Sequence, residues 1–424
     1  MKSMKKMVLV GLVLLASVMV LLPLVGCKRE VDPEVKEPPY LTFKADSEQT
    51  LTMKIQEGYT LHESLQYSVG GGEWKQLQAE TAISFGGAAG DLRMRGKSAG
   101  GTGIYKNGDA LCTYISFGNS EVKVACTGDI RTLVDYESYS TADTSVAVFA
   151  GLFYECTSLT SAPALPAETL AEGCYYGMFY GCTSLTSAPA LPAETLAEGC
   201  YSGMFSGCTS LSSAPALPAE TLAERCYDEM FYGCTSLTSA PALPAETLAE
   251  RCYTDMFYGC TSLTSAPALP AGTLAERCYY EMFYRCTSLT SAPALPAETL
   301  AEGWYSSMFY GCTSLTSAPA LPAKTLAEEC YYRMFAGCTS LTSAPALPAE
   351  TLAERCYYRM FAGCTKLSSV TMLATDISAD LCLEGWLNSV SETGTFTKAA
   401  AMGEETLKRY IPSGWTVQDY VPQQ

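Results

Sequence analysis

Cys156-Thr-Ser-Leu-Thr-Ser-Ala-Pro-Ala-Leu-Pro-Ala-Glu-Thr-Leu-Ala-Glu-Gly-Cys-Tyr-Tyr-Gly-Met-Phe-Tyr-Gly181 recurs along this chain every 26 residues with almost no drift. The Cys-Thr-x-Leu start returns at Cys182, Cys208, Cys234, Cys260, Cys286, Cys312, Cys338 and Cys364. A period of this length marks a solenoid, because one copy is too small to bury its own apolar side and the core closes only when copies stack. Invariant apolar positions should point inward; in the second copy these are Leu185, Ala188, Leu191, Leu196, Met204 and Phe205, with Cys182 and Cys200. The alternation over Leu185 to Ala188 predicts a strand, limited by Pro189 and Pro192, which cannot donate to a ladder. Leu196, Cys200 and Met204, four apart, predict one stripe of a short helix or 3₁₀ turn, weakened by Gly199, Gly203 and Gly207.

A strand on one side and a helical turn on the other predicts an α/β, β-rich leucine-rich repeat solenoid over residues 156–390. Met-Phe-x-Gly-Cys-Thr-x-Leu with a following Leu-Pro turn resembles the BspA-like leucine-rich repeat surface lipoproteins of Bacteroidota-type bacteria. So does the tail, Gly394-Thr-Phe-Thr-Lys398 and Ile411-Pro-Ser-Gly-Trp-Thr-Val417. The resemblance implies a role in adhesion to host matrix proteins and other cells. It assigns no binding residue, and this repeat departs from the commoner shorter one by a Pro-rich insertion.

Ahead of the repeats, Lys2, Lys5 and Lys6 precede the apolar run Val8 to Leu22 and then Leu24-Val25-Gly26-Cys27. The run is short for a membrane span and shaped like a signal peptide. Its end resembles a bacterial lipobox, which would make residues 1–26 a leader and Cys27 an acylated first residue holding the chain to the outer membrane or cell surface. Residues 27–39, with Pro33, Pro38 and Pro39, read as a tether. Short alternating segments between glycine turns over 40–128 predict a small antiparallel β-sandwich-like domain. A hairpin centred on Asn119 would set Cys112 opposite Cys126, either as a cross-strand disulfide or, with the register shifted, as two buried thiols. Residues 129–155 are expected to cap the first coil and 391–424 to cap the last, where Val370, Met372 and Trp386-Leu387 break the repeat pattern.

The net charge is −17, and the lysine-bearing leader contains no acid, so the rest is more acidic still. Nucleic acid is a poor partner for such a surface. One histidine, His62, rules out a Ser/His/Asp triad or a histidine-rich metal site inside the repeats. The repeat cysteines form two columns, Cys156 to Cys364 and Cys174 to Cys382. Trp304 interrupts the second, so obligate pairing would strand a partner; buried thiols are expected, without metal. The glutamate column Glu172 to Glu354 is expected to be solvated. Three columns vary freely between copies and are expected to be exposed, either diversifying a contact face or drifting neutrally. They include Gly173, Arg225, Arg251 and Arg277; Tyr176 and Asp228; and Gly177, Glu229, Asp255, Glu281, Arg333 and Arg359. No cofactor and no catalytic constellation emerge. Binding of proteins is the expected work, with glycan capture on the Tyr175, Tyr201, Tyr227 column or a passive spacer as alternatives.

Overall fold

The structure is a computed structural model that describes residues 37–422; Cys27, the leader and most of the tether lie outside the described residues. The segment ahead of the repeats contains β1 (Leu41–Lys44), β2 (Gln49–Ile55), β3 (Gln66–Val69), β4 (Lys75–Gln76), β5 (Ile83–Phe85), β6 (Leu92–Arg95), β7 (Gly103–Lys106), β8 (Asp109–Phe117) and β9 (Val124–Thr127). Alternation works as sequence predicts: Leu41 and Phe43, Leu51 and Met53, and Leu92 and Met94 are all buried. They belong to two antiparallel sheets, β9-β1-β6-β3-β4 and β5-β2-β8-β7. The sheets meet through Phe43 and Phe117, whose ring centroids lie 6.1 Å apart edge to face.

The predicted Cys112–Cys126 hairpin does not form. Cys112 on β8 stands opposite Gly103 on β7, and Cys126 on β9 stands opposite Phe43 on β1, in the other sheet. Both are buried free thiols. The cause lies in the connection between β8 and β9. The Gln49 side chain donates to the Asn119 and Val122 carbonyls at 2.7 and 3.2 Å and accepts from the Asn119 N–H at 2.9 Å. That clamp carries the chain out of one sheet and into the other before it can fold back on β8.

The β-rich segment and the repeats are not separate bodies. β10 (Leu159–Ser161), inside the first repeat, joins the free edge of β9 in parallel, so one sheet runs across the expected boundary. Residues 149–155, expected as a cap, already behave as a coil: Phe149, Gly151, Phe153 and Glu155 donate to the carbonyls of Cys174, Tyr176, Met178 and Tyr180. A single hydrophobic core continues from Leu41 through the stack to Trp415.

Within a coil, the stretch expected as a helix is a ribbon of consecutive four-residue turns. In the second copy Cys200, Ser202, Met204, Ser206 and Cys208 donate back three residues, to Ala197, Gly199, Tyr201, Gly203 and Phe205. The intervening Tyr201, Gly203, Phe205 and Gly207 donate instead to Cys226, Asp228, Met230 and Tyr232 of the next coil. Every fourth residue must then adopt positive φ, and Gly199, Gly203 and Gly207 do so at 58°, 60° and 73°. The spacing of four that suggests a helix is thus the length of a turn, and the glycines that argue against a helix are the hinges of the ribbon. Cys200 and Met204 face the core as expected, while Leu196 is half-buried.

The stretch predicted as a strand, Leu185 to Ala188, forms none in the second copy; its column carries the single bridge Ser291 to Ser317, and beyond the prolines single bridges such as Thr195 to Thr221 join the coils. Paired prolines remove donors in each copy, and the remaining contacts are long, 3.4 Å for Thr238 N–H to Ser212 O. In the copy that starts at Cys364, Val370-Thr-Met-Leu373 replaces the proline stretch and the ladder zips up, pairing also with the strand of the preceding copy, which keeps Pro345. β11 (Ser343–Leu347), β12 (Ser369–Met372), β13 (Gly394–Lys398) and β14 (Trp415–Asp419) form a parallel sheet. Trp386 closes the core, stacking on Tyr357 at 6.4 Å, meeting Phe396 edge-on at 6.0 Å, and donating to the Tyr410 carbonyl at 2.8 Å.

Candidate interaction surface

The turn ribbon positions side chains in files along the stack, and adjacent residues face opposite ways. Tyr175 and its equivalents point inward: Tyr175, Tyr201 and Tyr227 are 1% exposed and stack ring on ring at 5.8 Å. This file therefore offers no aromatic face to a glycan, which overturns the basis on which sequence suggested one. Phe179 and its equivalents form a second inner stack. Each of these phenylalanine carbonyls also accepts the thiol of the coil beyond, as Cys208 Sγ to Phe179 O at 3.1 Å and Cys234 Sγ to Phe205 O at 3.1 Å. Cys156 makes the same contact with Ile115 O of β8, so that strand substitutes for a missing coil. The thiols of both columns are free and buried, and burial pushes Cys208 up to about 12. They are buried free thiols, as the sequence expects, and those of the Cys156 column also donate within the core.

The three freely varying columns divide. The file of Tyr176 is not the exposed one that sequence implied. Asp228 and Thr254 are each 2% exposed, Tyr176 is half-buried, and Thr254 Oγ1 donates to Arg277 O at 2.7 Å. These side chains lie against the inter-coil turns, which can seat residues of very different size. Gly173 and Gly177 are buried too. A Cβ on Gly173 would stand 2.2 Å from the Tyr105 ring, so β7 covers that position. Toward the middle and far end, Glu229, Arg277 and Arg359 are exposed, while Arg225, Arg251, Asp255, Glu281 and Arg333 are half-exposed.

What unites the exposed members is backbone geometry. Arg251, Asp255, Arg277, Glu281, Arg333 and Arg359 occupy the positive-φ hinge positions, with φ between 50° and 53°. Left-handed backbone disfavours any residue with a Cβ by roughly 1 kcal/mol or more relative to glycine. Three of them carry a buried atom without a hydrogen-bond partner: Arg251 Nε, Asp255 Oδ1 and Arg333 Nε. Asp255 is held protonated to about pH 8, chiefly by burial, then by the neighbouring Glu281, Glu229 and Asp228 carboxylates, with Arg251 opposing.

Sequence reasoning missed a file beside this strip. Tyr232, Tyr258, Tyr284 and Tyr310 are partly exposed and stack at 4.5 Å, with planes within 11° of parallel. The signal was the residue following each inward phenylalanine, which a turn ribbon sends outward. Arg285 lies 5.5 Å from the Tyr284 ring centre of this file, and in the file of Tyr176 Arg333 and Arg359 cover Tyr332 and Tyr358 at 5.0 and 5.4 Å. The glutamate column is largely solvated, with Glu198 half-buried. The pKa of Glu328 is raised, first by Glu354 in the next coil, as stacked like charges require. Among the described residues, no group of three or more His, Cys, Asp or Glu side chains gathers as a metal site.

A stack of coils joined by backbone ladders, with an inner leucine-aromatic-thiol core and side chains in exposed files, defines a leucine-rich-repeat solenoid. The family of the BspA type leucine rich repeat region matches in six copies over residues 136–264 and 276–391, more than half of the chain, and the protein belongs to it. Comparison with curated proteins and with solved structures finds no match. Repeats of this family generally serve as non-catalytic binding modules.

Proposed function

We propose that the protein is a lipid-anchored outer-surface lipoprotein whose solenoid binds proteins of host matrix or neighbouring cells through the charged strip from Arg251 to Arg359 and the tyrosine file beside it. One observation carries this reading: charged side chains occupy hinge positions where glycine is free of strain, and Arg251, Asp255 and Arg333 each leave a buried polar atom there without a partner. Strain retained on a surface is the mark of a contact made elsewhere. Arginine and tyrosine are also the residues that dominate protein interfaces, and the rigid ribbon presents them at little cost in ordering.

The test compares the parent with a variant carrying Arg251→Gly, Glu281→Gly, Arg333→Gly and Arg359→Gly. Thermal unfolding should show each replacement stabilising by about 1 kcal/mol. Binding to a panel of immobilised matrix proteins should be lost. A glycine variant that binds as the parent does would leave the strip without a role and favour the passive spacer.

Anchoring follows from Leu24-Val25-Gly26-Cys27. Cys27→Ser should move the protein from the membrane fraction into the medium. A variant that still sediments with membranes would count against the acylated cysteine.

A further inference from the structure

A cavity of about 470 Å³ opens where β8 meets the first coils. Gly177 and Gly203 line it, and a Cβ on Gly203 would meet no atom within 4 Å, so there is open space above the ribbon. In later coils the equivalent positions carry Glu229, Asp255 and Glu281, whose side chains would occupy such a space. Tyr114 of β8 and Tyr154, Tyr176 and Tyr180 of the coils line the cavity; Tyr114 meets Tyr154 edge to face at 6.3 Å, and Tyr154 stacks on Tyr180 at 5.0 Å.

Among these rings lies a polar pair whose bonding is incomplete. Asp228 is almost fully buried, and its Oδ2 accepts from Arg225 Nε at 3.1 Å. Its Oδ1 is buried with no hydrogen-bond partner. An unpartnered carboxylate oxygen in such a place costs folding free energy unless something donates to it. Gln56 also lines the cavity; its Oε1 already accepts from the Cys112 N–H at 2.9 Å, which fixes the amide and leaves its NH₂ group to donate.

We propose that this cavity binds one or two units of a neutral saccharide. Adjacent sugar hydroxyls each donate and accept, matching a carboxylate oxygen that needs a donor beside a guanidinium and an amide that need acceptors. The C–H faces of the ring suit the tyrosines, and the volume suits one or two rings. Arg225 already neutralises Asp228, but Glu229 lines the cavity as well, so a small organic cation held among the tyrosines is the competing ligand that the experiment must separate from a sugar. The site lies apart from the strip beginning at Arg251 and would stand if that strip bound nothing.

The experiment is calorimetric titration of the intact protein with glucose, galactose, mannose, maltose, cellobiose and lactose, with tetramethylammonium as the cationic probe. A printed array carries the same sugars as terminal glycan units. At least one neutral sugar should bind; binding in both formats identifies a site for free sugar, and binding on the array alone identifies one for terminal glycan units. Asp228→Asn should weaken that binding by about ten- to a hundredfold, the equivalent of one charge-assisted hydrogen bond. Gly203→Arg should abolish it while the protein stays folded, since Arg333 and Arg359 hold the equivalent ribbon position in later coils. Three results would overturn the proposal: no sugar bound in either format, sugar binding that both variants retain, or tetramethylammonium binding that they abolish.

Discussion

Deleting one whole unit, Cys234 through Gly259, is expected to leave a folded rod one coil shorter, whereas deleting Cys234 through Glu246 alone is expected to collapse cooperative unfolding. In the first deletion Gly233 is followed by Cys260, and every file is rejoined. Phe231 stacks on Phe283 as it did on Phe257, and the Tyr227 N–H finds the Cys278 carbonyl in place of Cys252. In the second, the ribbon of the damaged coil survives but half its circuit is missing. Cys234, Leu237 and Leu243 are removed from the interior, and the leucines stacked above and below them, including Leu211 and Leu263, lose cover. Each buried leucine contributes roughly 1.5 to 3 kcal/mol, so several at once exceed the usual stability margin of a domain. Thermal unfolding followed by circular dichroism decides the matter. If both deletions melt as cooperatively as the parent, the 26-residue period is not the structural unit.

Asp255→Asn is expected to stabilise the protein at pH 8 and to make almost no difference at pH 4. The Asp255 carboxyl is pushed from an ordinary value near 3.8 up to about 8, first by burial and then by Glu281, Glu229 and Asp228. Between those values the folded chain keeps a proton that the unfolded chain has released. Stability therefore falls as pH rises from about 4 to about 8, and the loss is complete above the folded value. The amide keeps the shape and removes the charge, so it recovers what ionisation loses. Because the strip is partly open to water and its carboxylates titrate together, the gain at pH 8 should be roughly 1 to 3 kcal/mol. Asp228, raised to about 6 by burial against the opposing pull of Arg225, should follow the same sign over a narrower range, lost by about pH 6. Denaturant unfolding of parent and variant at the two pH values tests this. An equal effect at both, or destabilisation at pH 8, would mean that Asp255 is not a buried acid carrying an unfavourable charge.

The inward and outward logic of this protein was legible in its residues. A fixed period, an invariant Leu-Cys-Met-Phe set and an interrupted cysteine column suffice to predict a stack of coils with buried free thiols, because burial of apolar groups is set by pattern and thiols need no partner. Local geometry was not legible. Leu196, Cys200 and Met204 at intervals of four are compatible with a helix and equally with a ribbon of four-residue turns. The two differ in whether alternate N–H groups bond within the coil or to the next one, and that choice is made 25 residues away. The same holds for Cys112 and Cys126, which their spacing places across a hairpin and the Gln49 side chain sends into different sheets. Period, core and thiol chemistry thus belong to the sequence by itself. Which tyrosine file is buried, which charges sit on strained hinges, and the cavity closed by β8 were decided only when distant segments met, because each depends on contacts that no local pattern encodes.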